Sequence, residues 1–213
     1  MVNRTSAADF FPERLNLSAL RRAAEVCQGC DLYKDALQTV FGAGARHAHV
    51  MLIGEAPGDE EDRRGKPFVG PAGSLLRGAM EEAGLSAKDA YFTNAVKHFR
   101  WEPKGKYRLH VKPSARHVRA CRPWLEAEIE VVKPRAIVCL GATAAQSLLG
   151  SDFRVTKQRG KFLKNRWALQ LLATYHPSAI LRAPDELDRR RKHQEFVDDL
   201  HLVAEALAAT VES

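Results

Sequence analysis

The sequence predicts an α/β fold in which helices cover both faces of a parallel sheet. Four short apolar runs have the length and composition of buried strands: residues 50–53, 90–96, 136–141 and 169–174. Segments with apolar residues at helical spacing separate these runs. Strands that alternate with helices along a chain are typical of a parallel sheet covered on both faces.

The first half of the chain contains two predicted helices. Apolar residues recur at helical spacing through residues 12–26, whereas residues 1–12 have no clear period and are expected to form a loose arm. A second helix begins near Pro71 and carries its apolar face up to Ala83. Gly84 is a suitable C-cap for that helix.

The second half contains three more predicted helices. Ser114 is a suitable N-cap for a helix that runs to about Val132, and residues 141–143 open another that runs to about Leu149. Residues 159–167 resemble a β-hairpin arm. The last helix spans roughly residues 185–208 and has an apolar stripe at helical spacing.

The composition indicates a globular protein with a polyanionic partner. The chain has 213 residues, enough for one well-packed domain, and shows neither an internal repeat nor a domain linker. Its net charge of +7 and pI of about 9.4 favour nucleic acid. We find no apolar stretch of membrane-spanning length and no secretion signal, so we expect a cytoplasmic protein without a membrane partner. We further expect a monomer.

Polar side chains follow three of the predicted strands. Glu55, Asn94 and His176 each come directly after an apolar run, and Phe68 lies in a Gly/Pro-rich turn between Glu55 and the next helix. Ligands of open α/β sheets bind at the carboxyl ends of the strands, where these side chains would meet. The alternative is a plain strand–loop–helix connection with surface acids, in which Asn94 caps a turn.

This set of side chains suits a planar heterocycle attached to a sugar. Phe68 offers a ring for stacking, and the Asn94 amide can both donate to and accept from the edge of a pyrimidine. Cleavage of a base from its sugar leaves an anionic base and a cationic sugar. His176 would stabilise the anion and Glu55 the cation.

Residues 97–122 form a basic segment that contains aromatic residues. Nine lysines and arginines accompany a single acid, Glu102, and Phe99, Trp101 and Tyr107 are interleaved among them. Basic side chains neutralise phosphates and aromatic faces stack on bases, so the segment favours nucleic-acid binding over a merely solvated basic face. Up to Pro113 it is expected to form a loop.

The four cysteines favour metal ligands or reactive thiols over disulfides. Two residues separate Cys27 from Cys30, a spacing that suits one metal centre or a redox dithiol. Cys121 lies in a predicted helix, and Cys139 lies in a predicted buried strand, where it would also fit as a core thiol. Spacing alone does not identify the metal, and a zinc ion held by four thiolates is one candidate.

Together these motifs resemble the iron–sulfur uracil-DNA glycosylases (family 4). The resemblance rests on the order and spacing of Gly54-Glu55-Ala56-Pro57-Gly58, Phe68, Asn94, His176-Pro177-Ser178 and the four cysteines. It implies a three-layer α/β/α sandwich with a central four-stranded parallel sheet, in which Asn94 reads uracil, Phe68 stacks on it and His176 contacts its O2. It also implies a 4Fe–4S cluster on Cys27, Cys30, Cys121 and Cys139. Uracil-containing DNA, single- or double-stranded, would be the substrate, contacted by Lys106, Arg108, Ser178 and Arg182.

A narrower resemblance is to the UdgX branch, which has a basic loop that usually reads Lys-Arg-Arg-Ile-His. Here the loop reads Lys106-Tyr107-Arg108-Leu109-His110. In that branch the histidine attacks C1′ of the deoxyribose after uracil leaves, and the protein stays bound to the abasic site. This chain departs from the branch at Tyr107, at Leu109 and at Ala56, where the branch often has Gln.

Three functions therefore remain open for the chain. The first is a glycosylase that His110 traps on its product, and the second is a glycosylase that turns over by using water. The third is a non-catalytic iron–sulfur DNA-binding module. In the last two, His110 is a phosphate-contacting or merely exposed side chain.

Overall fold

Four parallel strands form the centre of the sheet in the computed structural model, which describes residues 6–209. They are β2 (Val50–Gly54), β3 (Ala90–Asn94), β6 (Ala136–Leu140) and β7 (Gln170–Thr174). A two-residue strand, β1 (Ala43–Gly44), adds antiparallel to β3 at one edge, which gives the order β1-β3-β2-β6-β7. The predicted parallel sheet is confirmed, and the fifth strand is too short to leave a periodic signal.

Helices of very different length connect the strands. The five long ones are α1 (Leu17–Glu25), α3 (Pro71–Glu82), α4 (Ala115–Val132), α5 (Ala142–Leu149) and α8 (Glu186–Ala209). The three short ones are α2 (Asp59–Arg64), α6 (Val155–Gln158) and α7 (Pro177–Leu181). Side chains of Asn16 and Ser114 cap α1 and α4, as the sequence predicts for α4. No helix among the described residues combines the length and the apolar character that crossing a membrane requires.

Both faces of the sheet are buried, because successive strand residues point to opposite sides. On one face, Leu52 and Val138 pack with residues of α3 and α8 such as Met80 and Phe196. On the other face, the sheet packs against α4 and α5. This three-layer α/β/α arrangement is the predicted sandwich. Each fully buried large side chain contributes about 1.5–3 kcal/mol to folding.

A third apolar cluster forms around Trp124 of α4. It joins α4 to α1 and to a short 3-10 helix, Ala7–Phe10. Ala7 is fully buried, and the Phe11 ring lies 4.9 Å from the Trp124 ring. The prediction of a loose arm is therefore wrong for residues 6–12, because apolar side chains anchor them. Its remaining part, residues 1–5, lies outside the described residues.

Two further expectations need correction. The basic segment is not a loop up to Pro113, because it contains a hairpin of β4 (Trp101–Lys104) and β5 (Tyr107–His110). Gly105 turns this hairpin at a φ of 58°, which suits glycine. Residues 159–167 do not form a hairpin arm. After α6 they run as an irregular segment, with one isolated bridge between Phe162 and Leu172.

Candidate active site

The carboxyl ends of β2, β3 and β7 meet at one cavity of about 610 Å³. Glu55, Asn94 and His176 line it, as the sequence predicts, and Phe68 and His110 line it too. Parallel pairing brings Gly54 opposite Asn94. The backbone N–H of Val96 then donates to the Glu55 carbonyl over 3.0 Å, which fixes the two strand ends relative to each other.

Close packing sets the positions of Asn94 and Phe68. A Cβ atom on Gly54 would lie 2.3 Å from Asn94 Oδ1 and 2.7 Å from Phe68 Cζ, so only glycine fits there. Phe68 has a φ of 55°, an uncommon conformation for a bulky residue, and Arg77 Nη1 donates to its carbonyl over 2.7 Å. Its ring lies 6.5 Å from the His176 ring at 29°, and it forms a wall against which a flat ring can stack.

The imidazole of His176 is neutral and has a fixed tautomer. Burial, followed by the charges of Arg182 and His110, lowers its pKa to about 4. The backbone N–H of Ser178 donates to Nδ1 over 3.2 Å, so Nδ1 is an acceptor and Nε2 carries the proton. His176 therefore presents an N–H donor, without a full positive charge, to an oxygen that becomes negative.

His110 reaches the cavity from the hairpin and not from the sheet. Its Nε2 lies 3.7 Å from Glu55 Oε1, and its ring stacks on Phe99 with 6.0 Å between centroids. Burial lowers the pKa of His110, and the charge of Glu55 partly offsets this effect. An unprotonated ring nitrogen is thus present at neutral pH, next to the Glu55 carboxylate.

Arg108 holds the hairpin in place. Its Nη1 donates to Asp62 Oδ2 over 2.6 Å, and its Nη2 lies 2.5 Å from Asp59 Oδ1 without hydrogen-bond alignment. The guanidinium also lies over the rings of Phe99 and Trp101. Only 13% of the side chain is exposed. Our expectation that Arg108 contacts DNA thus disagrees with its position, because both acidic partners are within the protein.

Of the other residues predicted to contact substrate or DNA, some line the cavity, some are buried away from it and one is exposed. Ala56, Gly58, Ser178 and Arg182 line the cavity, whereas Gly54 and Pro57 are buried and do not. Lys106 is exposed at the hairpin turn.

Lys97 begins the basic segment but is almost completely buried. Its Nζ lies 2.5 Å from Glu128 Oε2 and also donates to Thr93 Oγ1 and to the Asn94 carbonyl. A buried charge persists only with such a set of partners. Lys97 therefore supports the backbone that carries Asn94 and is unavailable to phosphate.

Thr143 is a cavity residue that the sequence analysis missed. Gly141 lies between β6 and α5, Ala142 and Thr143 are the first two residues of α5, and all three line the cavity. The Thr143 hydroxyl donates to Glu55 Oε2. Its position directly after the carboxyl end of a buried strand was the available signal.

Three of the four cysteines surround a second, small cavity. Cys27, Cys30 and Cys121 line it together with His98. Trp124 Nε1 donates to Cys27 Sγ over 3.3 Å, and the Lys97 backbone N–H donates to Cys121 Sγ over 3.2 Å. Burial raises the pKa of the Cys121 thiol to about 12, and the neighbouring Cys30 and Cys27 add to this rise.

Cys139 does not belong to this group, which corrects the predicted ligand set. It lies in the middle of the sheet, where it pairs in register with Ile53 and Ala173, and it is fully buried in the core. Burial alone raises the pKa of its thiol to about 12. His98 takes the fourth place around the small cavity. Its Nε2 lies 2.9 Å from Thr39 Oγ1, and burial lowers its pKa to about 4.

The described cysteine and histidine side chains do not form a preformed site for a single metal ion. Among residues 6–209, no three His, Cys, Asp or Glu side chains form a group able to hold a metal ion. Four thiolates on one zinc ion are also excluded by the position of Cys139.

Comparison with known proteins identifies the family. Residues 41–201 match the uracil DNA glycosylase superfamily. The chain is 35% identical over 176 residues to the type-4 uracil-DNA glycosylase of Archaeoglobus fulgidus, an alignment that covers 79% of this chain and 85% of that protein. It is 36% identical to the type-4 uracil-DNA glycosylase of Pyrobaculum aerophilum, with 80% and 87% covered. A type-5 uracil-DNA glycosylase of Thermus thermophilus is 33% identical, with 65% and 68% covered.

The sandwich fold, the strand-end cavity and these matches lead to one conclusion: the chain belongs to the uracil DNA glycosylase superfamily.

Proposed function

We propose that this protein excises uracil from DNA and is then captured on its product by His110. The observation that carries the proposal is the meeting of Glu55, Asn94, His176 and His110 at one cavity with Phe68 as its wall. Relatives named type-4 uracil-DNA glycosylases support the first step. The nucleotide must leave the base stack to enter the cavity, at a cost of a few kcal/mol.

In the first step the bond between C1′ and N1 breaks and its electron pair leaves with uracil. Phe68 stacks on the base and the Asn94 amide pairs with its edge. The Nε2–H of His176 donates to O2, where the negative charge of the leaving base develops. The Glu55 carboxylate stabilises the positive charge at C1′.

In the second step an unprotonated ring nitrogen of His110 donates its lone pair to C1′. The other ring nitrogen then loses its proton to solvent, which leaves a neutral alkylated imidazole. The distance of 3.7 Å between His110 Nε2 and Glu55 Oε1 supports this step, because Glu55 stabilises the imidazolium that forms first. An alkylated imidazole lacks the hydrolysis route of an ester, so the adduct is expected to persist.

A denaturing gel tests the proposal against its alternatives. The protein is incubated with a labelled single-stranded oligonucleotide that contains one uracil, and with the thymine version as control. A heat-stable, slowly migrating protein–DNA band is expected with uracil alone. Abasic DNA in excess of protein would instead indicate turnover with water. An unchanged oligonucleotide would indicate a binding module without activity.

We also propose a 4Fe–4S cluster held by Cys27, Cys30, Cys121 and His98. The donor set supports it: three thiolates, of which Cys27 and Cys121 accept N–H hydrogen bonds, and an imidazole, which replaces thiolate in some iron–sulfur centres. The ligands of a cluster surround several iron atoms and need not converge on one point, in accord with the absence of a single-ion group among residues 6–209. When bound, the cluster would cross-link α1, the segment after β3 and α4. Iron and acid-labile sulfide analysis of anaerobically purified protein tests this; zinc in their place would contradict it.

A further inference from the structure

The junction between β6 and α5, residues 141–143, contacts two side chains that the proposed reaction uses. At Gly141, φ is 88° and a Cβ atom would lie 3.0 Å from the His176 Cβ. Two residues later, the Thr143 hydroxyl donates to Glu55 Oε2. This junction thus lies against both the carboxylate at the end of β2 and the imidazole at the end of β7.

We infer that Thr143 is a positioning residue that acts through Glu55 and sets which carboxylate oxygen faces the sugar. This inference rests on the proposed function, in which Glu55 stabilises the positive charge at C1′ and on His110. It adds a specific partner for that carboxylate.

The two oxygens of Glu55 have different partners. Oε2 accepts from Thr143, whereas Oε1 lies on the side of His110, 3.7 Å from its Nε2. Thr143 is itself only 5% exposed, so water competes little for its hydroxyl. It lies in the first turn of α5, and a helix N-terminus favours a nearby negative charge. Without the hydroxyl, the carboxylate group is free to rotate and Oε1 loses its fixed direction.

The test compares two substitutions of Thr143 in single-turnover reactions with uracil-containing single-stranded DNA. Thr143→Val removes the hydroxyl and keeps the shape, so we expect uracil release and adduct formation to slow about tenfold or more, the value of a hydrogen bond to a charged group. Thr143→Ser keeps the hydroxyl and should restore most of the rate. Ser147→Ala is the matched control, because Ser147 is buried on the same helix and donates only to the Ala144 carbonyl.

A double-mutant cycle with Glu55→Ala separates positioning from a general structural effect. If Thr143 acts through Glu55, adding Thr143→Val to Glu55→Ala causes no further decrease in rate. An equal decrease in both backgrounds would overturn the inference, and so would a Thr143→Val protein that reacts at the wild-type rate. Thermal melting of each variant shows whether it is folded. Wild-type protein that releases no uracil would overturn the proposed function as well, whereas the other two outcomes leave that function intact.

Discussion

His110 Nε2 lies 3.7 Å from Glu55 Oε1, although the two residues belong to different parts of the fold. Glu55 follows the central strand β2, whereas His110 is the last residue of β5, the second strand of a separate hairpin. The pair therefore combines a carboxylate of the sheet with an imidazole that only the hairpin supplies. Five predictions concern this pair, the residues around it and the small cysteine-lined cavity.

The variant His110→Ser should form no adduct and should still release uracil. The hydroxyl is a poorer nucleophile than a neutral imidazole and leaves room for water, whereas Asn94, Phe68 and His176 keep their positions. Denaturing gels report the adduct, and alkaline cleavage of the oligonucleotide reports abasic sites. His47→Ser, a change at an exposed histidine, is the control. An adduct that survives in His110→Ser would remove His110 from its proposed role.

Adduct formation should depend on the protonation of His110. Burial lowers the pKa of His110 below the ordinary value of 6.5, so its ring nitrogen is available at neutral pH and remains so into mildly acidic solution. The rate of adduct formation should therefore stay nearly constant from about pH 8 to about pH 7 and fall only in acid, as imidazolium replaces imidazole. Single-turnover rates across this range measure the profile. A rate that already falls between pH 8 and pH 7 would contradict it.

Folding stability should also fall in acid because of His176. Its pKa is about 4 in the folded protein and about 6.5 when unfolded, so the unfolded chain binds the proton more readily between these values. The free energy of unfolding is then unaffected above about pH 6.5 and decreases towards pH 4, by up to about 3 kcal/mol from this residue. Urea unfolding of wild type and His176→Asn at both ends of this range measures the difference. Equal pH dependence of the two proteins would exclude His176 as the source.

Substitutions of Arg108 and Lys106 should have different effects, because one residue holds the hairpin and the other is exposed. Arg108→Ala leaves the buried Asp62 carboxylate without its cationic partner, although the Leu37 N–H still donates to it, so we expect a loss of about 3 kcal/mol in stability and much slower adduct formation. Lys106→Ala should weaken DNA binding and reduce its salt dependence, with little change in the adduct rate at saturating DNA. Fluorescence anisotropy at several salt concentrations and single-turnover gels measure both properties. The reverse pattern would return Arg108 to the DNA contacts.

Cysteine variants should divide into two groups. Cys121→Ala is expected to lose the visible absorbance of a cluster, at about 400 nm, because Cys121 lines the small cavity with Cys27, Cys30 and His98. Cys139→Ala should retain that absorbance and lose only about 1 kcal/mol of stability, the usual effect of removing a small buried group. Absorbance spectra and iron content of the two purified variants show which cysteine is a cluster ligand. Loss of iron from Cys139→Ala alone would restore Cys139 to the ligand set.

The sheet and most of the cavity were predictable from sequence because one physical rule covers them. Parallel strands end at a common edge, so polar residues after separate strands predict a shared site, as for Glu55 and Asn94. The hairpin was missed because its two strands are short and mostly exposed, and one of them contains Pro103. His98 was missed because an imidazole among thiolates does not stand out by spacing. Lys97 was grouped with the phosphate-binding side chains of the basic segment, since nothing local reveals that Glu128 of α4 reaches it.

The docking of the hairpin through Arg108 onto α2 has a consequence for how the protein can be altered. The groups that we assign to bond breaking lie at the edge of the sheet. The group that we assign to retention of the sugar, His110, lies on the hairpin of β4 and β5. If His110 captures the product as proposed, changes to the hairpin would choose between release and permanent labelling of DNA. Recognition of the base would stay unchanged as long as Arg108 still holds the hairpin against α2.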